Sequence, residues 1–125
     1  MPLSPSDEWI ERIVAAVPQL RSLYDEHRAD YDGVLPHVFM GDVARFVTTG
    51  FASAGNEPQK PRDREAAAKV LQIMEEAADA RSPETIELVS VSFLENIDWE
   101  STEGRAVREA MGPQLRRELS RRGSA

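Results

Sequence analysis

Six prolines stand where a helical pattern begins, and no other feature of the 125-residue chain constrains its fold as much. Pro5, Pro18, Pro36, Pro61, Pro83 and Pro113 each lead into apolar residues at i, i+3 and i+4 spacing. A proline has a fixed φ and no N–H, so it is harmless in the first helical turn and disruptive further in. The chain is thereby cut into short helices. No segment alternates apolar and polar residues over a convincing length, and no motif recurs at a fixed period. The expected fold class is all-α, a compact single-domain bundle or short array of about six helices with a short C-terminal tail helix. A chain of this length can bury one core and is too short for two ordinary domains.

The first helix runs from Pro5 into Ala16, with Ser4 and Asp7 in capping-box spacing and Trp9, Ile13 and Val17 on one face. The second carries Leu20, Leu23, Tyr24 and His27 and ends near Asp30, before the turn signal Asp32-Gly33. The third begins at Pro36 and is broadly apolar through Val38, Phe39, Met40, Val43, Ala44, Phe46, Val47 and Phe51. Gly41 interrupts it, which points to close contact with a crossing helix. Residues 54–61 read as the one sizeable loop and should be mobile. The fourth helix, from Pro61 to Ala80, turns Ala67, Val70, Leu71, Met74, Ala77 and Ala78 inward. After the fifth, Ser101 or Thr102 caps a sixth with Val107, Ala110 and Met111. Gly112-Pro113 then starts the tail helix with Leu115 and Leu119, and residues 120–125 should fray.

Ser82 to Trp99 is the most hydrophobic run and reads as the central, fifth helix, with Ser82 as N-cap and Pro83 at the first helical position. At 100° per residue, Ile86, Val89, Phe93 and Ile97 share one side, flanked by Leu94, Leu88 and Trp99. The remaining sector, about 80° wide, holds Glu84, Glu87, Glu95 and Asp98 beside Val91. This acidic ridge on a rigid helix is one candidate protein-binding surface. A second is the acidic patch Asp25, Glu26, Asp30 and Asp32. Charged faces are also what any amphipathic helix turns to water.

The formal charge is −7, which argues against nucleic-acid binding, since that requires a net basic face. Its distribution is uneven: residues 1–104 hold 9 basic and 20 acidic side chains, whereas residues 105–125 hold 6 arginines against Glu109 and Glu118. There are no cysteines, so disulfides, thiolate metal sites and thiol nucleophiles are excluded. Asp7, Glu8 and Glu11 occupy the place of a signal peptide's basic region, and no apolar run reaches the length of a membrane span. A cytoplasmic protein without membrane attachment is expected.

His27 and His37 are the two histidines. A metal or general-base site would need them to converge with Glu26, Asp42 or Glu87, but none of these pairs has the i, i+4 spacing of a helix-borne zinc motif. His37 and Asp42 are five apart and should point to different faces. Asp30, Asp32 and Gly33 lack the rest of a calcium loop. Phosphate-cradling glycines and a nucleophile elbow are missing as well. The expectation is a non-enzymatic protein with no cofactor.

The stretch Glu87-Leu88-Val89-Ser90-Val91-Ser92-Phe93-Leu94-Glu95-Asn96-Ile97, with Leu35-Pro36-His37, Gly41-Asp42-Val43-Ala44-Arg45 and Gly112-Pro113, resembles a small bacterial family of unknown function. The resemblance implies a helical, single-domain cytoplasmic protein. Some members of that family occur near polymorphic toxin loci, which implies an immunity protein that binds and neutralises a cognate toxin. No catalytic residue carries over. Small acidic immunity proteins suit basic toxins, because complementary charge speeds association. A helical adaptor with a non-toxin protein partner is the alternative, and a small metal-dependent enzyme using His27 or His37 is a third reading.

Overall fold

The structure is a computed structural model, and it describes residues 4–52 and 60–121. Ser4 caps α1 (Pro5–Ala16): its hydroxyl accepts the Asp7 N–H at 3.1 Å and donates to the Asp7 carboxylate at 2.9 Å. A 3-10 turn, Pro18–Leu20, leads straight into α2 (Arg21–Tyr31), which stops at Asp32 in the left-handed conformation, φ 52°. Next come α3 (Pro36–Gly50) and α4 (Lys60–Asp79). The short α5 (Pro83–Glu87) passes into a π-helical stretch, Leu88–Phe93, and a 3-10 turn, Leu94–Asn96. Two further helices, α6 (Thr102–Ala110) and α7 (Pro113–Arg121), complete an all-α fold without strands among the described residues.

The centre of the molecule is α3. It packs chiefly on α4 and on the π stretch, with α1 and α6 at its sides, while α7 lies against α4. Phe39, Met40, Val43, Ala44 and Val47 of α3 are fully buried, as are Phe93, Leu88, Leu94 and Leu115. In α4, every residue expected to face inward is buried. Burying a large apolar side chain contributes roughly 2 kcal/mol, so this core is the main favourable contribution to folding.

Several expectations about helix winding, capping and facing need correction. The fifth helix is not an α-helix through Trp99, because its winding changes at Leu88: the Leu94 N–H reaches back five residues to the Val89 carbonyl, and Ile97 is already extended. The Ser82 hydroxyl makes no capping bond. Ile86, placed on the apolar side of the wheel, is only half-buried, while Val38 of α3 and Ala110 of α6 are exposed. Of the loop expected over 54–61, residues 54–59 lie outside the described residues, and Lys60 and Pro61 open α4. Of the tail expected to fray, residues 122–125 lie outside them too, while Ser120 and Arg121 are helical.

Gly41 is not the point of closest approach. A Cβ there would meet only Asn96, at an ordinary 3.6 Å, whereas a Cβ on Gly50 would lie 2.7 Å from both the Ala67 Cβ and the Asp63 carbonyl oxygen of α4. The two glycines should therefore respond oppositely to alanine. Gly50→Ala is expected to destabilise by about 1–3 kcal/mol through overpacking. Gly41→Ala should stabilise by about 0.5–1 kcal/mol through helix propensity. Urea denaturation of both variants checks this, and effects of the same sign would contradict the packing described.

Candidate functional site

The face of α2 at positions 23, 26, 27, 30 and 31 follows helical spacing and mixes Leu23, Glu26, His27, Asp30 and Tyr31. Opposite it, the first three turns of α3 present His37, Val38, Gly41, Asp42 and Arg45. Between them lies a cleft of about 520 Å³, also lined by Asn96 from the 3-10 turn after the π stretch. Concave, partly apolar sites of this size with a few convergent polar groups are the ordinary form of a binding site.

Two histidine hydrogen bonds hold the cleft's walls. His27 is buried, and its Nε2 accepts the Leu35 backbone N–H at 2.9 Å, so that nitrogen carries no proton and the ring is tied to the α2–α3 connection. The same ring lies 4.8 Å from Tyr31 and 5.4 Å from Phe39, centroid to centroid. His37 Nδ1 and the buried Ser92 hydroxyl share a 2.5 Å hydrogen bond, which fastens the start of α3 to the π stretch. The side chain of Asn96 donates to the Ser92 carbonyl at 2.6 Å. The change of winding at Leu88 thus places Ser92 and Asn96 for these bonds, in keeping with the frequent occurrence of π turns at functional sites.

The rim is acidic. Asp42 is paired with Arg45, but among the described residues Glu26 and Asp30 have neither an ion-pair nor a hydrogen-bond partner. Three carboxylates therefore face one guanidinium. Four large hydrophobic side chains are exposed among the described residues, and three of them fall in eight consecutive positions here: Tyr31 (50%), Leu35 (44%) and Val38 (46%). Tyr31 and Val38 line the cleft itself, and the fourth, Val91, adjoins Ser92. Neither Tyr31 nor Val38 was singled out from the sequence as a site residue. The usable signal was the α2 spacing, which puts two acids and two rings on one face.

The expected acidic sites are divided by the structure. From the patch on α2, Glu26 and Asp30 enter the cleft, whereas Asp25 pairs with Arg21 at 3.6 Å and Asp32 forms the left-handed cap. The ridge on the central helix is not continuous. Glu87 ends α5, Glu95 lies in the 3-10 turn, and Asp98 lies beyond the helix, accepting the Glu100 N–H at 3.0 Å. Glu84 is occupied, since its carboxylate accepts the Ser6 N–H at 3.1 Å and so caps the first turn of α1. Contrary to the separation expected of His37 and Asp42, both line the cleft, because it is wide enough to take about 140° of the α3 surface. His27 and His37 meet Glu26 and Asp42 there, but Glu87 does not join them. Among the described residues no three His, Asp or Glu side chains are placed to share a metal ion.

The backbone N–H of Ser6 holds the Glu84 carboxyl below its ordinary pKa of 4.5. A lowered folded-state value means that the ionised form favours the native state. This contribution is complete above pH 4.5 and disappears as the pH falls through the lower folded value. Glu84→Gln should therefore lower the thermal midpoint at pH 7 and reduce the loss of stability on acidification below pH 4.5. Thermal melts of both proteins across the acid range check this, and parallel pH profiles would contradict the cap.

Comparison with known proteins yields one family. Its model, a domain of unknown function (DUF7674), matches residues 10–124. No curated protein and no solved structure matches.

Proposed function

We infer, for a chain that belongs to the DUF7674 family, that it is a non-enzymatic protein-binding domain docking a basic protein in the cleft between α2 and α3. The observation that carries this reading is the coincidence of exposed Tyr31, Leu35 and Val38 with the carboxylates of Glu26 and Asp30, which have no partner among the described residues. Exposed apolar side chains rimmed by charge are the usual composition of an interface, with the apolar group as anchor and the charge as steering field. A lysine or arginine of the partner would meet the two carboxylates and the Tyr31 ring that line this cleft.

In the finer form of this reading the protein is an immunity protein acting in the cytoplasm, and the basic partner is its cognate toxin. Supporting it are the net charge of −7 and the resemblance to proteins near toxin loci. A helical adaptor would use the same cleft for a different basic protein. Neither a nucleic acid nor a membrane belongs to the proposal, and no described helix is long and apolar enough to cross a bilayer.

The test is affinity purification from the native cell, followed by kinetics with the recovered stoichiometric partner. Glu26→Lys with Asp30→Lys should slow association about tenfold or more and flatten its salt dependence, while Tyr31→Ala should mainly speed dissociation. Neutralisation of a toxin encoded beside this gene supports the immunity form; a bound partner that is no toxin leaves the adaptor. Unchanged kinetics in both variants would overturn the cleft as the docking site.

A further inference from the structure

A second concavity, about 250 Å³, lies where the end of α4, the start of α5 and one face of α7 meet. It shares no lining residue with the α2–α3 cleft, and its charge is opposite. In an acidic chain it is lined by three arginines, Arg81, Arg117 and Arg121, and one acid, Glu118. The α7 residues recur at i, i+1 and i+4 from Arg117, so the helix delivers all of them to one side.

Glu118 is only 6% exposed, and its carboxylate holds Arg121 at 3.5 Å. That pair positions one guanidinium and cancels its charge. Arg81 and Arg117 have no ion-pair partner among the described residues, which leaves the cavity with two uncompensated positive charges. Arg81 has a further peculiarity: it follows the end of α4 with φ 59°, in the left-handed region where glycine is the ordinary solution. A side chain there strains the backbone, and what this one supplies is a guanidinium at the cavity's edge. Ile86 and Pro83 form an apolar wall.

We propose that this cavity binds a small phosphate monoester, with Arg81 and Arg117 on the phosphate oxygens, Arg121 held beside them by Glu118, and Ile86 and Pro83 against the carbon portion. The planar fork of a guanidinium matches phosphate oxygens in pairs, and a phosphate monoester near pH 7 carries close to the two negative charges that the cavity lacks. The volume is below that of drug-sized ligand sites, which restricts the carbon portion to a few atoms or a single ring.

The probes are inorganic phosphate, phenyl phosphate and phenol, titrated against the full chain by calorimetry and by thermal shift at constant ionic strength. Both phosphates should bind saturably, phenyl phosphate more tightly because of the apolar wall, and phenol should not bind. Arg117→Ala should weaken phenyl phosphate about tenfold or more. Arg81→Gly should weaken it similarly without lowering the ligand-free melting temperature, an outcome that a purely structural Arg81 would not give. Arg105→Ala, outside the cavity, should leave affinity unchanged. The proposal is overturned by no saturable binding of either phosphate up to about 10 mM, by unchanged affinity in both cavity variants, or by an equal loss in Arg105→Ala.

Discussion

Short helices leave many backbone groups without partners, and the way this chain satisfies them shapes the rest of its structure. Each α-helix begins with free N–H groups and ends with free carbonyls that local residues can only partly cover. Here serine hydroxyls cover part of them locally, and other covering groups come from neighbouring or distant elements. The Glu75 carboxylate of α4 accepts the N–H groups of Gln114 and Leu115 at 2.7 and 3.0 Å, opening α7. Glu84 does the same for α1. Arg116 of α7 donates to the carbonyls of Arg108, Glu109 and Met111, closing α6, and Trp99 Nε1 donates to the Leu94 carbonyl at the end of the π and 3-10 run. The caps therefore also fix which helix ends lie beside which.

This use of charge changes how the acidity of the chain is understood. Charge-assisted bonds from carboxylates to helical N–H groups are stronger than neutral ones and favour the ionised form, as the lowered pKa of Glu84 indicates. Part of the net negative charge is thus architectural. The charges not used in this way lie differently from the sequence expectation: Glu26 and Asp30 line a cleft edged by apolar side chains, while Arg81 and Arg117 line a smaller cavity elsewhere. The first depends on the His27 and His37 bonds that join α2, α3 and the π stretch; the second depends on the Glu118–Arg121 pair.

Much of the fold was legible because it is governed by local rules. Prolines stand in the first turn of α1, α3, α4, α5 and α7, Ser4 and Ser101 cap α1 and α6 through their hydroxyls, and the inward face of α4 is the one its spacing implies. The failures share a physical cause. A helical wheel assumes constant winding, and the change at Leu88, made where Ser92 bonds to His37, shifts the phase of the later residues and separates Glu84 and Glu87 from Asp98. Caps supplied from 39 or 78 residues away, as by Glu75 and Glu84, leave no mark in a local window. The same holds for the cleft: Glu26 and Asp30 were recognisable as an acidic patch, but their juxtaposition with Val38 and Asn96 is a product of packing.

The proposed docking site is the cleft and not the acidic side chains of the central helix. Amide chemical-shift mapping of the isotope-labelled chain, titrated with its purified partner, tests this most directly. The account predicts that the largest changes fall on residues 26–42 and on Asn96. Changes centred on Glu84, Glu87 and Glu95, with residues 26–42 unmoved, would contradict it.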